Sequence, residues 1–363
     1  MGILPTTYIL PATYILEVPE LRIDELTGRV VLLAPARAAR PHTVDAEASP
    51  AADPPVACPF CAGNEHDTPP EVARHGPGQP DTDGWQVRVV PNLYPIVGGP
   101  DAGPGADGVH EVVVLSPAHD ATFGQLDDEA AIAVLVMLRE RCRVHAAAGR
   151  AHVQVLINQG RAAGASIAHP HAQVLALDLV GPAVRTEMAL VGDAGRDLVA
   201  ADQHEAQRRE QHVLEQGPAR VWCPSVASGP FEMRLAVLPD AAHPDIAHQD
   251  AAHLATASDD DLAATAIALR DALRGLGPAI GADERTLAYN VVLHQAPHED
   301  SVPAPARWWF EVRPRVTVVA GFEIGTGILV NTLDPGWAAA GLRGEQTSED
   351  QAREDQAREE QTR

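Results

Sequence analysis

One order of elements, strand–helix–strand–strand, is repeated along the chain, and this repeat constrains the fold more than any other feature. In the first copy, residues 111–118 (EVVVLSPA) read as a strand and turn followed by His119. The helix DDEAAIAVLVMLRERC comes next, with Ile132, Leu135 and Val136 at helical spacing. The strand HVQVLIN and the segment AHPHAQVLAL complete the unit. The second copy opens with MRLAVLPDAAH, a strand and turn ending at His243. Its helix starts at Ser258, with Asp261 three residues on in a capping-box-like pattern. Leu262, Ala266, Leu269, Leu273 and Leu276 form one apolar stripe on it. LAYNVVLH and ARWWFEVRPR then supply two strands. The expected fold is α+β: two similar halves whose antiparallel strands join into one extended sheet with helices packed on it.

The halves differ where chemistry would sit. In AHPHAQVLAL, strand alternation points His169, His171 and Gln173 to one side of an otherwise apolar segment. That face is either a pocket floor or the wet side of an edge strand. The second half carries Arg307, Trp309 and Glu311 at the corresponding positions. We therefore expect residues 1–185 to be the active half and 186–343 a degenerate, structural one. Residues 344–363 repeat QARE without a large apolar side chain, and read as a disordered acidic tail. Residues 42–56 and 99–108, rich in Ala, Pro, Asp and Gly, read as loops.

CPFCAGNEHDTPPE places Cys58 and Cys61 two residues apart. Two thiolates at this spacing can hold one metal from a tight turn, and zinc prefers four N/S ligands in a tetrahedron. A redox pair and two inert thiols are the alternatives. With no second CxxC in the chain, His119 and His169 are the candidates to complete a metal site.

Composition narrows the partners. A formal charge of −23 argues against a nucleic-acid or anionic-membrane binder, because phosphate attraction needs a basic surface. All 27 Lys+Arg residues are arginine, so any phosphate must be held by arginine, histidine, amides or backbone N–H groups. Four cysteines are too few for a disulfide scaffold of this length, and no apolar run is long enough for a membrane span. The apolar stretch TTYILPATYIL lacks a basic leader, so a reducing cytoplasm is the expected compartment.

Together, ELTGRVVLLAPARAARP, CPFCAGNEHDTPPE, VRVVPNLYP, HEVVVLSPAH, NQGRAAGASIAHPHAQ and GFEIGTG resemble the galactose-1-phosphate uridylyltransferase family, the transferase branch of the histidine-triad superfamily. The resemblance runs from about Arg22 to Leu342 in family order. It implies two histidine-triad-like halves, a homodimer, and a double displacement through a covalent nucleotidyl-histidine. His171 would be the nucleophile and Gln173 the amide that bonds the phosphoryl oxygen. Cys58, Cys61, His119 and His169 would bind Zn2+. Arg22, Asn92 and Asn158 would contact the nucleotide, Gly164, Ala165 and Ser166 would form the phosphate loop, and Glu323 would face the sugar. The partners implied are a nucleoside diphosphate sugar, either UDP-glucose/UDP-galactose or an ADP-sugar, and a sugar 1-phosphate.

Departures bear on the substrate and on a second metal. Phe322 stands for the family's tyrosine and Thr317 for its lysine, while the words around NQG and GFE look closer to plant-type nucleoside-diphosphate-sugar phosphorylases, which transfer adenylyl groups. Asp197 and Ala200 fall where one branch has a second cysteine pair, RWW replaces its HWH, and of another branch's glutamate and three histidines only Glu187 and His294 have counterparts, so a single metal is expected. Uridylyl transfer is the leading expectation, with ADP-sugar phosphorylase or adenylyltransferase as its alternative. A non-catalytic nucleotide-sugar binding protein is the alternative from another class. His110 reads as a structural histidine, and His294 and His298 as solvated turn residues. Cys142 and the two tryptophans at 308 and 309 read as packing groups.

Overall fold

The computed structural model describes residues 18–35, 37, 58–99, 102–103, 105–239, 251–298, 302–303 and 305–345. The apolar N-terminal stretch, the loop at 42–56, His243 and the tail from residue 346 lie outside the described residues.

The first half contributes β3 (Ala73–His75), β4 (Val87–Pro91), β5 (Gly108–Val114), α1 (Asp128–Ala147), β6 (His152–Gln159) and β7 (His171–Leu177). After α2 (Pro182–Ala194) and α3 (Leu198–Arg208), the second half supplies β8 (His212–Gln216), β9 (Ala219–Trp222), β10 (Met233–Val237), α4 (Asp259–Ile280), β11 (Tyr289–His294) and β12 (Trp309–Pro314). These strands form one ten-stranded sheet in the order β3-β4-β5-β7-β6-β11-β12-β10-β9-β8, antiparallel throughout. The repeat is visible in that order: β5-β7-β6 mirrors β10-β12-β11 across the central β6–β11 pair. The expected α+β fold with an extended antiparallel sheet is the one observed.

Both long helices cover one face. The side chain of Asp127 accepts from the Ala130 N–H to start α1, and Ser258 does the same for Asp261 at α4. Leu262, Ala266, Leu269, Leu273 and Leu276 are all essentially solvent-free, packed with Val134, Leu135, Leu138 and Cys142 over the odd-numbered residues of β6. Truncating one such leucine to alanine would cost ~2–5 kcal/mol, so the stripe is a principal source of stability. The α1 stripe lies slightly differently from the sequence reading, because Ile132 and Val136 are only half-buried and Ala131, Val134 and Leu138 take the centre.

The opposite face is covered at its two ends. Over β10, β9 and β12, residues of α2 and α3 pack on Trp222, Ala236 and Trp309. Beyond β7, the Cys58–Cys61 turn packs with Trp85, Val90, Val112 and Val114. The strands between, β7, β6 and β11, present His171, Gln173, Asn158 and Asn290 to that side.

A three-stranded sheet joins β1 (Glu20–Ile23), β2 (Val30–Leu33) and β13 (Leu329–Asn331), the last of which lies between α5 (Gly321–Thr326) and α6 (Pro335–Leu342). It is pinned to the large sheet by buried ion pairs, Asp24 with Arg234 and Arg29 with Glu311. Among the described residues, no helix is long and apolar enough to cross a membrane.

Candidate active site and metal cluster

The alternation expected for AHPHAQVLAL holds from His171 onward, whereas His169 lies before the strand. Ala172, Val174 and Ala176 enter the core under the helices, while His171 and Gln173 face the other side. Their cross-strand neighbours on β5 are Val114 and Val112, and Gln173 lies opposite Leu156 on β6. Polar groups thus sit on an apolar floor.

Just before β7, His169 is fully buried and meets the CxxC turn. Cys58, Cys61, His119 and His169 bring one ligand atom each to within 4.8 Å of one another. A tetrahedral ion about 2.3 Å from sulfur and about 2.0–2.1 Å from nitrogen separates adjacent S and N ligands by roughly 3.6 Å. The Sγ···Nδ1 separations are 3.3 Å for Cys61–His119, 3.6 Å for Cys61–His169 and 3.7 Å for Cys58–His169. The cluster therefore fits a metal. The His169 Nε2–H donates to the Ser116 carbonyl at 2.7 Å, which leaves the Nδ1 lone pair aimed at the thiols. Burial pulls the His169 imidazole down to about 4, and burial together with the neighbouring Cys58 thiol pushes Cys61 up to about 11. Both shifts favour the uncharged forms of His169 and Cys61, so taking up a cation would release the Cys61 proton.

The turn is braced by residues that sequence reasoning did not single out. The Cys61 N–H and the Asn64 side-chain amide both donate to the Cys58 carbonyl. Buried Glu65 accepts from the Gly63 N–H and from Trp85 Nε1, and these bonds hold its carboxyl below the usual range despite burial. Phe60, between the two cysteines, sits against the rings of His169 and His171, with centroids 6.2 and 5.4 Å away. The metal turn and the His171 ring are thus packed as one unit.

His171 is 7% exposed. Its Nδ1–H donates to the His169 carbonyl at 2.8 Å, so Nε2 carries the lone pair. Burial lowers its pKa, opposed only by that carbonyl, and a neutral imidazole is the nucleophilic form.

Around it, the structure gathers most of the expected residues. Gln173 Oε1 lies 2.9 Å from His110 Nε2, and Asn92 Nδ2 lies 3.1 Å from the same nitrogen. Asn158, on β6, accepts from Asn290 of the second half. The segment carrying Gly164, Ala165 and Ser166 folds tightly, the Ala165 N–H donating to the Gly160 carbonyl. Gly160 has φ +77°, and a Cβ there would meet the Leu287 carbonyl oxygen at 2.9 Å, so this turn needs glycine. Two expected residues stand elsewhere. Arg22 donates to the Ser225 carbonyl and Glu20, lining a groove with Arg196 and Arg209, and Glu323 caps α5 by accepting from the Ala320 N–H.

Two readings need correction. His110 is buried as expected of a structural histidine, yet it bonds Gln173 directly. His294 is not a solvated turn residue. It is wedged between Glu187, 3.0 Å from Nδ1, and Glu311, 3.5 Å from Nε2, and stacks on Trp309 with centroids 3.8 Å apart. Those carboxylates outweigh burial and raise its pKa to about 9. Asp197, at the position considered for a second metal, caps α3 and pairs with Arg307.

Comparison with known proteins agrees with this architecture. Residues 103–181 match the family model described as galactose-1-phosphate uridyl transferase, N-terminal domain. An ADP-glucose phosphorylase from Arabidopsis thaliana is 30% identical over 335 residues, which is 87% of this chain and 90% of the relative. A solved structure of an ADP-glucose phosphorylase from the same plant, with ADP-glucose bound, superposes with a TM-score of 0.74 at 26% identity, covering 91% of this chain and 100% of that one. A uridylyltransferase structure superposes with a TM-score of 0.65 at 24% identity, covering 90% of this chain and 98% of the other, a likeness of fold. With its sheet order, its His171 strand and a relative that matches it nearly end to end, the chain belongs to the galactose-1-phosphate uridylyltransferase family.

Proposed function

We propose that the protein transfers a nucleoside monophosphate from a nucleoside diphosphate sugar to a phosphate acceptor through a covalent nucleotidyl-His171, and that the nucleotide is adenylyl. One observation carries the chemistry: His171 is buried, burial favours its neutral form, and its Nδ1–H is held by the His169 carbonyl so that Nε2 keeps the lone pair. Nε2 attacks the α-phosphorus, the bond from that phosphorus to the bridging oxygen breaks, and the sugar 1-phosphate departs with the electron pair. An oxygen of the acceptor phosphate then attacks the same phosphorus, the P–N bond breaks, and the imidazole returns to its starting tautomer. Splitting one displacement into two lets a single nucleophile serve both directions. Neutral donors, Gln173 and Asn158 with the Gly164–Ala165–Ser166 turn, would stabilise the phosphoryl oxygens without titrating themselves, and Asn92 would hold the nucleotide.

Adenylyl specificity is supported by the likeness to ADP-glucose phosphorylase in both sequence and fold. Uridylyl transfer, placed first on sequence alone, has behind it the family model that matches residues 103–181, whereas the ADP-glucose phosphorylase matches the chain nearly end to end. The acceptor is then inorganic phosphate or a sugar 1-phosphate.

For the metal we favour Zn2+, held by the Sγ atoms of Cys58 and Cys61 and the Nδ1 atoms of His119 and His169. With four protein ligands it would be structural, and would supply folding energy. Residues 1–185 would form the catalytic half and 186–343 its support. The exposed side chains Val318, Phe322 and Ile324 fit a homodimer contact, and the free thiols fit a cytoplasmic setting.

Turnover with phosphate and either donor tests the specificity. ADP-glucose should yield ADP and glucose 1-phosphate, at least about tenfold faster than UDP-glucose yields UDP, a gap of about 1.4 kcal/mol. Faster turnover of UDP-glucose would overturn the adenylyl assignment.

A further inference from the structure

The two amides beside His171 are each gripped by the carbonyl end. We propose that His110 and Asn290 are positioning residues that turn the NH2 groups of Gln173 and Asn158 toward the transferred phosphoryl group, an inference that rests on the nucleotidyl-transfer reading above.

Amide orientation is often ambiguous, but here each amide is fixed through a group that can act in only one way. The Ile96 backbone N–H can only donate, and it lies 3.2 Å from His110 Nδ1. Nδ1 therefore accepts, and the neutral ring carries its proton on Nε2. Facing that N–H at 2.9 Å, Gln173 must present its oxygen, so its NH2 turns the other way. Asn92 is fixed similarly, because its Oδ1 accepts from the Tyr94 N–H at 2.8 Å. Its NH2 also lies 3.1 Å from His110 Nε2, but a neutral ring has one acceptor nitrogen, and the Ile96 N–H, which unlike an amide group cannot turn away, takes it at Nδ1.

On the other side, the Ala163 carbonyl can only accept, and it takes a hydrogen bond from Asn290 Nδ2 at 2.9 Å. Arg315 Nε, which can only donate, bonds Asn290 Oδ1. The orientation of Asn290 is thereby set, and its Nδ2 also donates to Asn158 Oδ1 at 2.7 Å. The NH2 of Asn158 is thus left for a ligand. His110 and Asn290 are both buried, and they flank the β7–β6 strip from opposite sides, one on β5 and one on β11.

The consequence is electrostatic. A glutamine free to flip would present its carbonyl dipole to an anionic phosphoryl oxygen for part of the time, and would have to reorient before helping. Holding the oxygen end removes that reorganisation. The second half of the chain thereby serves the reaction through Asn290 without touching the reacting atoms.

Two double-mutant cycles on the protein as purified test this. The pairs are His110→Phe with Gln173→Ala, and Asn290→Leu with Asn158→Ala. Single-turnover nucleotidylation by ADP-glucose and the equilibrium affinity for ADP are read for each, with metal content and melting temperature as controls. His110→Phe should slow nucleotidylation by ~10²-fold, as expected when one oxyanion donor is lost. In the Gln173→Ala background the same change should add less than about threefold, because the group it positions is gone. The Asn290 and Asn158 pair should behave alike, and it decides the matter if His110→Phe does not fold. Effects that multiply in the double variants, or positioning variants as fast as wild type, would overturn the proposal. If wild type forms no adduct, the nucleotidyl-transfer reading falls, and coupling in the ADP-affinity cycles decides positioning alone.

Discussion

At the scale of single residues, the tautomer of His171 governs the chemistry. The His169 carbonyl commits the Nδ1 proton, so on the proposed reading the nucleophilicity of Nε2 is set by backbone geometry. His171→Ala should abolish turnover while metal content and ADP affinity stay near wild type, since the four ligand side chains of the cluster come from other residues. Gln173→Ala should lower kcat by ~10²- to 10³-fold, the usual cost of one oxyanion donor. Steady-state kinetics with metal analysis checks both, and a His171→Ala variant that still turns over would contradict the assignment. His171 and Gln173 were legible in the sequence because side chains on a strand alternate with a period of two. His110 was visible but not interpretable, since its meaning lies in a partner 63 residues away. Asn290 was missed entirely, as nothing local marks an asparagine whose partners are Asn158, Ala163 and Arg315.

Among the elements, the Cys58–Cys61 turn and the His294 wedge do opposite things with charge. In the turn, burial keeps the Cys61 thiol protonated, a proton that a bound cation would displace. Cys58→Ala should lose the metal and melt ~5–10 °C lower, because binding to a closed four-ligand site is folding energy. Differential scanning calorimetry with and without a chelator checks this; an unchanged melting temperature would show that the metal is not structural. His294 instead ties α2, β11 and β12 together as a buried cation between Glu187 and Glu311. Its imidazole stays protonated in the fold up to about 9, whereas an exposed histidine releases its proton near 6.5. The stabilisation is therefore complete below about pH 6.5 and is lost as pH rises through about 9. Urea unfolding should show wild type losing on the order of 2–3 kcal/mol across that window relative to His294→Gln. Parallel pH profiles for the two proteins would contradict this role. The helices themselves were legible because Ser258 and the leucine stripe of α4 are local signals. The wedge was legible only in part: the resemblance named Glu187 and His294 together, but nothing local marks His294 as buried or brings Glu311 to it.

Across the whole molecule, two copies of one unit join edge to edge; helices close one face of the sheet, and among the described residues the other carries apolar clusters towards its two ends. The repeat made the sheet predictable, and the loss of the His-x-His-x-Gln pattern in the second copy pointed to an asymmetric site. What the repeat could not reveal is that Asn290, from the second copy, bonds Asn158 of the first. The central claim, a covalent nucleotidyl-histidine formed from an ADP-sugar, is most directly tested by intact-protein and peptide mass spectrometry after incubation with ADP-glucose and no acceptor. Wild type should gain one acid-labile adenylyl group on the peptide containing His171, and added phosphate should discharge it as ADP. An active protein without that adduct, or an adduct on His119, His294 or His298, would contradict the mechanism.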